Sequence, residues 1–319
     1  MQTLIRAIVR AVKVRNAPSD YDTIFAKITY PAVYGGTLAE RNTGVLSADS
    51  EQVPFPVVLF LSGINVGKES YQWLAIELAK AGIVTVTYDW IAEDLPGFIS
   101  LTAGVDLESL GPDAYGAKPT STVIAPLLGM LDRLQASGVL AGMLDLNRIY
   151  LGGHSAGATM AYQNTNPYWF PQVKGAFGYA GHTMASTMFG YEAGTILQIL
   201  SAMPILIMGG TDDGVIASSS HRYGLAEGDA TAALERTFEE AVNVGHLVLF
   251  KDAGHFVAAH PYDPTTGRGF LEESEPKDES ELRVLIVKLV IAFIGDEMEK
   301  EAWSQNNLIA RYEKKSIAK

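Results

Sequence analysis

One short stretch of the chain combines residue types that could carry out nucleophilic chemistry. Residues 151–157 read Leu-Gly-Gly-His-Ser-Ala-Gly, so Ser155 stands between glycines in a Gly-x-Ser-x-Gly pattern. An apolar segment precedes this pattern, and a helix-like segment follows it. Glycines have no Cβ and therefore permit the sharp, strained turn from strand into helix that the pattern requires. A serine at the start of a helix, where free N–H groups favour negative charge, is typical of an acyl-transfer nucleophile.

An acid and a histidine follow this serine in the chain order that such a turn requires. An apolar run over 204–208 ends just before Asp212 and Asp213, and a second run over 247–250 ends just before His255. Each candidate therefore comes directly after a predicted strand, where open α/β sheets place their ligand sites. The sequence predicts a catalytic triad with a serine nucleophile, a histidine base and one of the two aspartates.

With these residues in place, the sequence resembles the α/β-hydrolase family from about residue 30 to residue 295. The branch that it resembles most contains the dienelactone hydrolase, chlorophyllase and platelet-activating-factor acetylhydrolase-like esterases. Besides the serine turn, the supporting motifs are Tyr30-Pro31-Ala32, Leu59-Phe60-Leu61-Ser62-Gly63, Gly210-Thr211-Asp212-Asp213-Gly214-Val215-Ile216 and Ala253-Gly254-His255-Phe256. The resemblance implies an α/β-hydrolase fold: a mostly parallel central sheet with helices on both faces and loop or helical cap insertions. The alternation of apolar runs with helical patterns independently favours such a sheet.

The resemblance also favours one aspartate as the triad acid. In the family, the acid is often followed by a small residue and then by aliphatic residues, which fits Asp213. Asp212 stays open as the alternative, and whichever is not the acid is a turn residue, because Asp-Gly is a common turn pair. His260 is the main competitor of His255 as the base.

Two backbone N–H groups are expected to hold the oxyanion of the reaction. The family uses the residue after the nucleophile, here Ala156, and a residue in the loop after an earlier strand, here assigned by position to Ile64. Many relatives have His-Gly in that loop, whereas this chain has Ser62-Gly63. Backbone donors do not depend on the preceding side chain, so the assignment of Ile64 stands as a prediction.

Composition restricts the remaining function classes. The chain has 319 residues, 48% hydrophobic and 19% charged, which fits one large ordered α/β domain. Its formal net charge of −12 argues against nucleic-acid binding, which needs basic patches. Cysteine is absent, so no thiolate can act as metal ligand or nucleophile. No metal-ligand or nucleotide-binding spacing is found either, so we expect no cofactor and no metal.

The sequence therefore predicts a serine carboxylic-ester hydrolase that works through an acyl-enzyme. An apolar group, which could line the substrate pocket or pack in the core, favours a hydrophobic ester such as a lipid, a chlorophyll-type or a polyester substrate: Trp169, Phe170, Met184, Met188, Phe189 and Tyr191. A serine peptidase or an acyltransferase on the same fold is an alternative. So is a catalytically silent protein that binds a ligand.

The predicted domain limits are an N-terminal extension over 1–20, the hydrolase domain over 21–296 and a charged tail over 297–319. Arg6 and Arg10 interrupt the first apolar stretch, so we predict no secretory signal and a cytoplasmic protein. An organelle transit peptide or a membrane-surface helix over 1–15 is the alternative. Residues 284–294 are too few to span a bilayer, and we expect them in the last core helix. A loop over 92–118 is expected to form a lid or a pocket wall.

Overall fold

The computed structural model describes residues 4–95, 97–272, 278–298 and 308–314. The strands in these ranges are β1 (Leu4–Lys13), β2 (Thr23–Val33), β3 (Ser47–Ala48), β4 (Phe55–Leu61), β5 (Val84–Asp89), β6 (Ile91–Leu95), β7 (Phe98–Leu101), β8 (Leu144–His154), β9 (Val173–Tyr179), β10 (Ile205–Gly210), β11 (Gly245–Phe250) and β12 (Leu308–Lys314). The α-helices are α1 (Leu38–Thr43), α2 (Gln72–Lys80), α3 (Ile124–Ala136), α4 (Ala156–Gln163), α5 (Gly214–Ser219), α6 (Ala232–Ala241) and α7 (Ser280–Ile294).

Among the described residues, ten strands form one mostly parallel sheet. Its order is β1-β2-β5-β4-β8-β9-β10-β11-β12, and the short β3 pairs with β2. The six strands from β5 through β11 in that order run parallel to one another, whereas β1, β2 and β12 pair antiparallel at the two sides. The chain therefore has an α/β fold, as the sequence predicts.

Long stretches of the central strands are buried because both faces of this part of the sheet are covered. All six residues of β10 are buried, as are the last six of β8. A strand buried on both faces reads as a continuous hydrophobic run rather than as an alternating one. This is why β4, β10 and β11 can be recognised directly in the sequence.

The sheet brings every predicted site residue to the same edge. The carboxyl ends of parallel strands meet at one edge of a sheet, where α/β proteins bind their ligands. Ile64 follows β4, Ser155 follows β8, Asp213 follows β10 and His255 follows β11. His182 follows β9, which lies between β8 and β10. Five loops thus converge on one region.

The first described segment is a strand, so the interpretation of residues 1–15 as a helix is wrong for the described part. β1 pairs with β2 over its full length, from Leu4 opposite Ala32 to Lys13 opposite Thr23. Arg6 and Arg10 are four residues apart, and that spacing puts two side chains on one face of a helix and equally on one face of a strand. The tail also contributes a strand, because β12 pairs antiparallel with β11.

Other sequence predictions are confirmed with shifted ends. The last core helix, expected over 284–294, is α7, which begins earlier, at Ser280, and has eight buried residues. The segment over 92–118, expected to be a loop, begins with a two-stranded hairpin of β6 and β7. In the described part of the chain, no helix has the length and apolarity needed to cross a membrane.

Candidate active site

Ser155 occupies a strained turn between β8 and α4. Its backbone has φ 55° and ψ −123°, a conformation that residues with a side chain rarely adopt. The turn is held by its N–H, which donates to the Tyr179 carbonyl at 2.9 Å, and by its carbonyl, which accepts the Thr159 N–H at 3.1 Å. Such strain persists only where the surroundings enforce it, and it concentrates at functional sites.

The glycines on either side of this serine are required by close packing. A Cβ on Gly157 would collide with the Leu61 carbonyl at the end of β4, and a Cβ on Gly153 would collide with the Gly157 carbonyl. The helix after the nucleophile therefore lies directly against the strand that leads to Ile64. The Gly-x-Ser-x-Gly pattern has a steric cause here.

Asp213 and His255 form a buried pair. Asp213 Oδ2 lies 2.7 Å from His255 Nδ1, and the two residues are 0% and 3% exposed. The second carboxylate oxygen of Asp213 accepts the Ile216 N–H at 2.8 Å and caps α5. Both oxygens of this carboxylate are therefore engaged, and the bond to Nδ1 leaves Nε2 as the ring atom that can exchange a proton.

The competing acid and base lie elsewhere. The Asp212 backbone N–H donates to the Ala253 carbonyl, and the Thr211 hydroxyl donates to its carboxylate at 3.3 Å. His260 is exposed, and its backbone N–H donates to the Ser70 carbonyl. Of the alternatives that the sequence left open, the structure pairs Asp213 with His255.

The loop after β4 presents one backbone N–H between two that are already used. The Gly63 N–H donates to the Tyr71 hydroxyl at 2.9 Å, and the Asn65 N–H donates to the Leu101 carbonyl at 2.8 Å. The N–H of Ile64 has no acceptor among the described residues. Ala156 is the first residue of α4, where backbone N–H groups lack partners within the helix. The two predicted oxyanion donors thus lie at the same sheet edge, one on the loop after β4 and one at the start of α4.

His154 connects three parts of this site. The Tyr71 hydroxyl, which accepts from Gly63, lies 3.0 Å from His154 Nδ1, and His154 Nε2 lies 3.0 Å from the His255 carbonyl. That carbonyl can only accept, so Nε2 carries the proton, and the Tyr71 hydroxyl donates to Nδ1. The chain of hydrogen bonds joins the loop after β4, the residue before Ser155 and the loop that carries His255.

The His154 ring is neutral. It is 0% exposed, and burial lowers its pKa well below the ordinary value, with the nearby His255 acting in the same direction. The ring centroids of these two histidines are 4.9 Å apart. A neutral ring with one donor and one acceptor is what the two hydrogen bonds require, so its role is structural.

The segment over 261–272 runs from the loop after β4 to His255. A Cβ on Gly267 would lie 3.0 Å from Asn65 Nδ2, so the backbone at Gly267 passes beside the loop after β4. At its end, Glu272 Oε1 accepts the His255 N–H at 2.9 Å. Burial raises the pKa of Glu272, and the neighbouring Asp213 raises it further.

The apolar group that the sequence assigned either to a pocket or to the core is divided in the structure. Phe170 and Met184 are buried in the hydrophobic core, whereas Met188 is 69% exposed. Trp169 packs against the core from outside. Packing therefore accounts for several members of the group.

Sequence reasoning missed Tyr71 and Glu272. Neither stands in a recognisable motif, and their contacts join residues far apart in the chain: Tyr71 meets His154 and Glu272 meets His255. Only the folded arrangement could reveal them. Within the described residues, no group of three or more His, Asp or Glu side chains is placed to hold a metal ion.

Comparison with known proteins adds no assignment to this geometry. No family model matches the sequence, and a search of the curated proteins finds no similar chain.

Proposed function

We propose that this protein is a serine-dependent carboxylic-ester hydrolase with an α/β-hydrolase fold. The observation that carries the proposal is the buried 2.7 Å hydrogen bond between Asp213 and His255, at the sheet edge where the strained Ser155 turn also ends. A histidine oriented by a buried carboxylate, in chain order after a serine on a strand–turn–helix, matches the residue types and chain order of the triad in this reaction class and supports the proposal.

The acylation half of the reaction follows from these groups. Ser155 Oγ attacks the ester carbonyl carbon while His255 Nε2 takes the hydroxyl proton. The carbonyl oxygen becomes an oxyanion, which the N–H groups of Ile64 and Ala156 stabilise. The bond to the alcohol oxygen then breaks, and His255 returns the proton to the departing alkoxide, so that an alcohol leaves and an acyl-enzyme remains.

Deacylation reverses these roles with water. His255 takes a proton from water, the hydroxide attacks the acyl carbon, and the carboxylic acid leaves as the Ser155 oxygen regains its proton. Asp213 keeps the imidazole in the required tautomer and stabilises the imidazolium in both halves. The reaction consumes one ester and one water and needs no external oxidant or reductant.

The substrate is proposed to be an ester with an apolar part. Ile64 is 49% exposed beside the proposed oxyanion donors, and Phe270, on the segment that crosses the site, is 86% exposed. Exposed apolar side chains near a site favour contact with lipid-like or polymeric esters over fully polar ones.

The deciding experiment measures hydrolysis of p-nitrophenyl esters of graded acyl length by wild type and by Ser155→Ala. We expect turnover by wild type and a loss of about 10³-fold or more in the variant. Circular dichroism on both proteins controls for folding, and the optimum chain length reports the size of the acyl pocket.

A fluorophosphonate probe distinguishes an enzyme of narrow substrate specificity from an inactive protein. The probe should label Ser155 in wild type and should not label the Ser155→Ala variant. If no ester is turned over and no label appears, the proposed function is wrong, and a ligand-binding protein becomes the better interpretation. Peptide or acyl-transfer activity with little ester hydrolysis would instead reassign the same triad.

A further inference from the structure

His182 lies at the same sheet edge as the proposed site but has no part in the proposed mechanism. It follows β9, and β9 lies between β8, which leads to Ser155, and β10, which leads to Asp213. The Thr159 hydroxyl, one turn into α4, donates to the His182 carbonyl at 2.9 Å. The residue is therefore fixed against the helix that carries the proposed nucleophile.

The hydrogen bonds of the His182 ring determine where its proton is. Nδ1 accepts the Met184 N–H at 3.3 Å, so the neutral ring carries its proton on Nε2. The Tyr223 ring meets it edge-on, with centroids 4.5 Å apart at 80°, and holds its orientation. The ring is a fixed neutral donor with one N–H direction.

The donor of this ring has no partner in the protein. His182 is only 9% exposed, and among the described residues no acceptor meets Nε2. This atom is not one of the partnerless polar atoms that are sealed from solvent. The ring is near the proposed acid and base, because the charges of Asp213 and His255 both act on its pKa. No hydrogen bond joins His182 Nε2 to the nearby carboxylate of Asp213, whose two oxygens accept from His255 and from the Ile216 N–H.

The ring stays uncharged at neutral pH. Burial lowers the pKa of His182 to about 4, although the negative charge of Asp213 raises it and His255 lowers it. A neutral N–H carries no net charge that would favour an anion. It can donate a hydrogen bond to an uncharged oxygen acceptor. A buried donor without a partner is costly, so a substrate that supplies the acceptor gains relative to one that does not.

We infer that His182 is a specificity-determining residue whose Nε2–H donates to a second carbonyl oxygen of the substrate. The substrate class is then an ester that carries a further carbonyl, as diesters and oligoesters do, rather than a simple alkyl ester. This inference rests on the proposed ester hydrolysis and names the substrate class of the same site.

The test compares esters of similar length that differ in a second ester group, which supplies the further carbonyl. Titration of released acid at constant pH gives kcat/KM for dimethyl succinate against methyl hexanoate and for ethylene glycol diacetate against pentyl acetate. The first pair places the second carbonyl on the acyl side, and the second pair places it on the alcohol side. After correction for two equivalent ester groups, wild type should prefer the dicarbonyl ester in one pair by about three- to tenfold.

Three variants show whether this preference depends on the imidazole N–H. His182→Phe keeps a ring against Tyr223 but removes the donor, and its preference should fall to about one. His182→Gln restores an N–H near the Nε2 position and should retain most of the preference. His221→Phe is the matched control, because His221 is an exposed histidine on a neighbouring segment, and it should preserve the wild-type ratio.

The outcomes separate the two proposals. If Ser155-dependent hydrolysis is present but the ratio is about one in both pairs, or survives in His182→Phe, the role of His182 is wrong while the hydrolase stands. If no ester shows Ser155-dependent hydrolysis, the proposed function itself fails. Long-range ¹H–¹⁵N spectra give a readout without turnover: they should show the Nε2–H tautomer, and an Nδ1–H tautomer at pH 7 would overturn the inference.

Discussion

His154 Nε2 donates to the backbone carbonyl of His255 at 3.0 Å, so the residue before the proposed nucleophile holds the loop of the proposed base. Through its other nitrogen, the same ring accepts from Tyr71, which in turn binds the Gly63 N–H. Three loops that the proposed acyl transfer requires at fixed distances are therefore joined by one buried side chain. Small displacements of catalytic groups are expensive, which gives this connection a measurable effect on rate.

Removal of the Tyr71 hydroxyl should lower kcat more than it changes KM. Tyr71→Phe leaves the Gly63 N–H and His154 Nδ1 unpartnered, which should cost about 1–3 kcal/mol of stability. The loop after β4, which contains the proposed donor Ile64, should then be held less rigidly. We expect kcat for a p-nitrophenyl ester to fall about tenfold, in line with the loss of a fraction of one oxyanion donor.

Tyr30→Phe is the control for this change. Tyr30 is also fully buried, and its hydroxyl donates to the Leu46 carbonyl at 2.8 Å, away from the site. It should lower the midpoint of urea unfolding by a similar amount and leave kcat near wild type. An equal loss of kcat in both variants would show that the Tyr71 effect is only a loss of stability.

The two adjacent aspartates should behave very differently. Asp213→Asn keeps the shape of the side chain but replaces the carboxylate that faces His255 Nδ1, so the wrong histidine tautomer is favoured. We expect kcat to fall by about 10³- to 10⁴-fold. Asp212→Asn should reduce kcat less than about threefold, within the range of ordinary surface changes. A large loss in Asp212→Asn alone would reverse the assignment of the acid.

Gly157→Ala should destabilise the protein because a Cβ at this position collides with the Leu61 carbonyl. The steric cost of overpacking is about 1–3 kcal/mol, and we expect the thermal midpoint to fall accordingly. Gly129→Ala is the opposite control: Gly129 lies inside α3, where a Cβ would have only Arg133 at 3.8 Å. It should stabilise by about 0.5–1 kcal/mol. Equal effects of the two variants would contradict the packing described for the serine turn.

The burial of His182 should make the protein less stable in acid. Its pKa is about 4 in the folded protein and about 6.5 in an unfolded chain, so between these values the unfolded chain binds more protons. The free energy of unfolding therefore falls as the pH drops from 6.5 toward 4. Urea unfolding at pH 7 and 4.5 should show about 2 kcal/mol less acid loss in His182→Gln than in wild type. Identical acid losses would mean that this ring is not buried as described.

Local sequence predicted the strands better than the contacts between them. The strands β4, β10 and β11 can be recognised from their continuous apolar runs without knowledge of the rest of the chain. A strand that is buried on both faces is apolar at nearly every position. β1 was harder, since the spacing of Arg6 and Arg10 fits either secondary structure. The segment forms a strand because it pairs with β2, and that pairing is not visible in the local sequence.

Within the candidate site, the residues in motifs could be predicted and their supporting residues could not. Ser155 was predicted from its glycine motif, and Asp213 and His255 were predicted from their positions after strands. The choice between Asp212 and Asp213 rested on resemblance, and the structure adds the distance of Asp213 from His255. Tyr71 is 83 positions from His154 in the chain, and no periodicity or motif relates two residues across such a separation.

Among the described residues, β1 pairs with a strand on one side only. An unpaired strand edge can pair with another chain, so this edge is a site where molecules could associate at high concentration. The exposed guanidinium groups of Arg6 and Arg10 repel the same groups on a second molecule. Since salt weakens such repulsion, colloidal stability should depend on ionic strength, and concentrated stocks should keep best in dilute buffer.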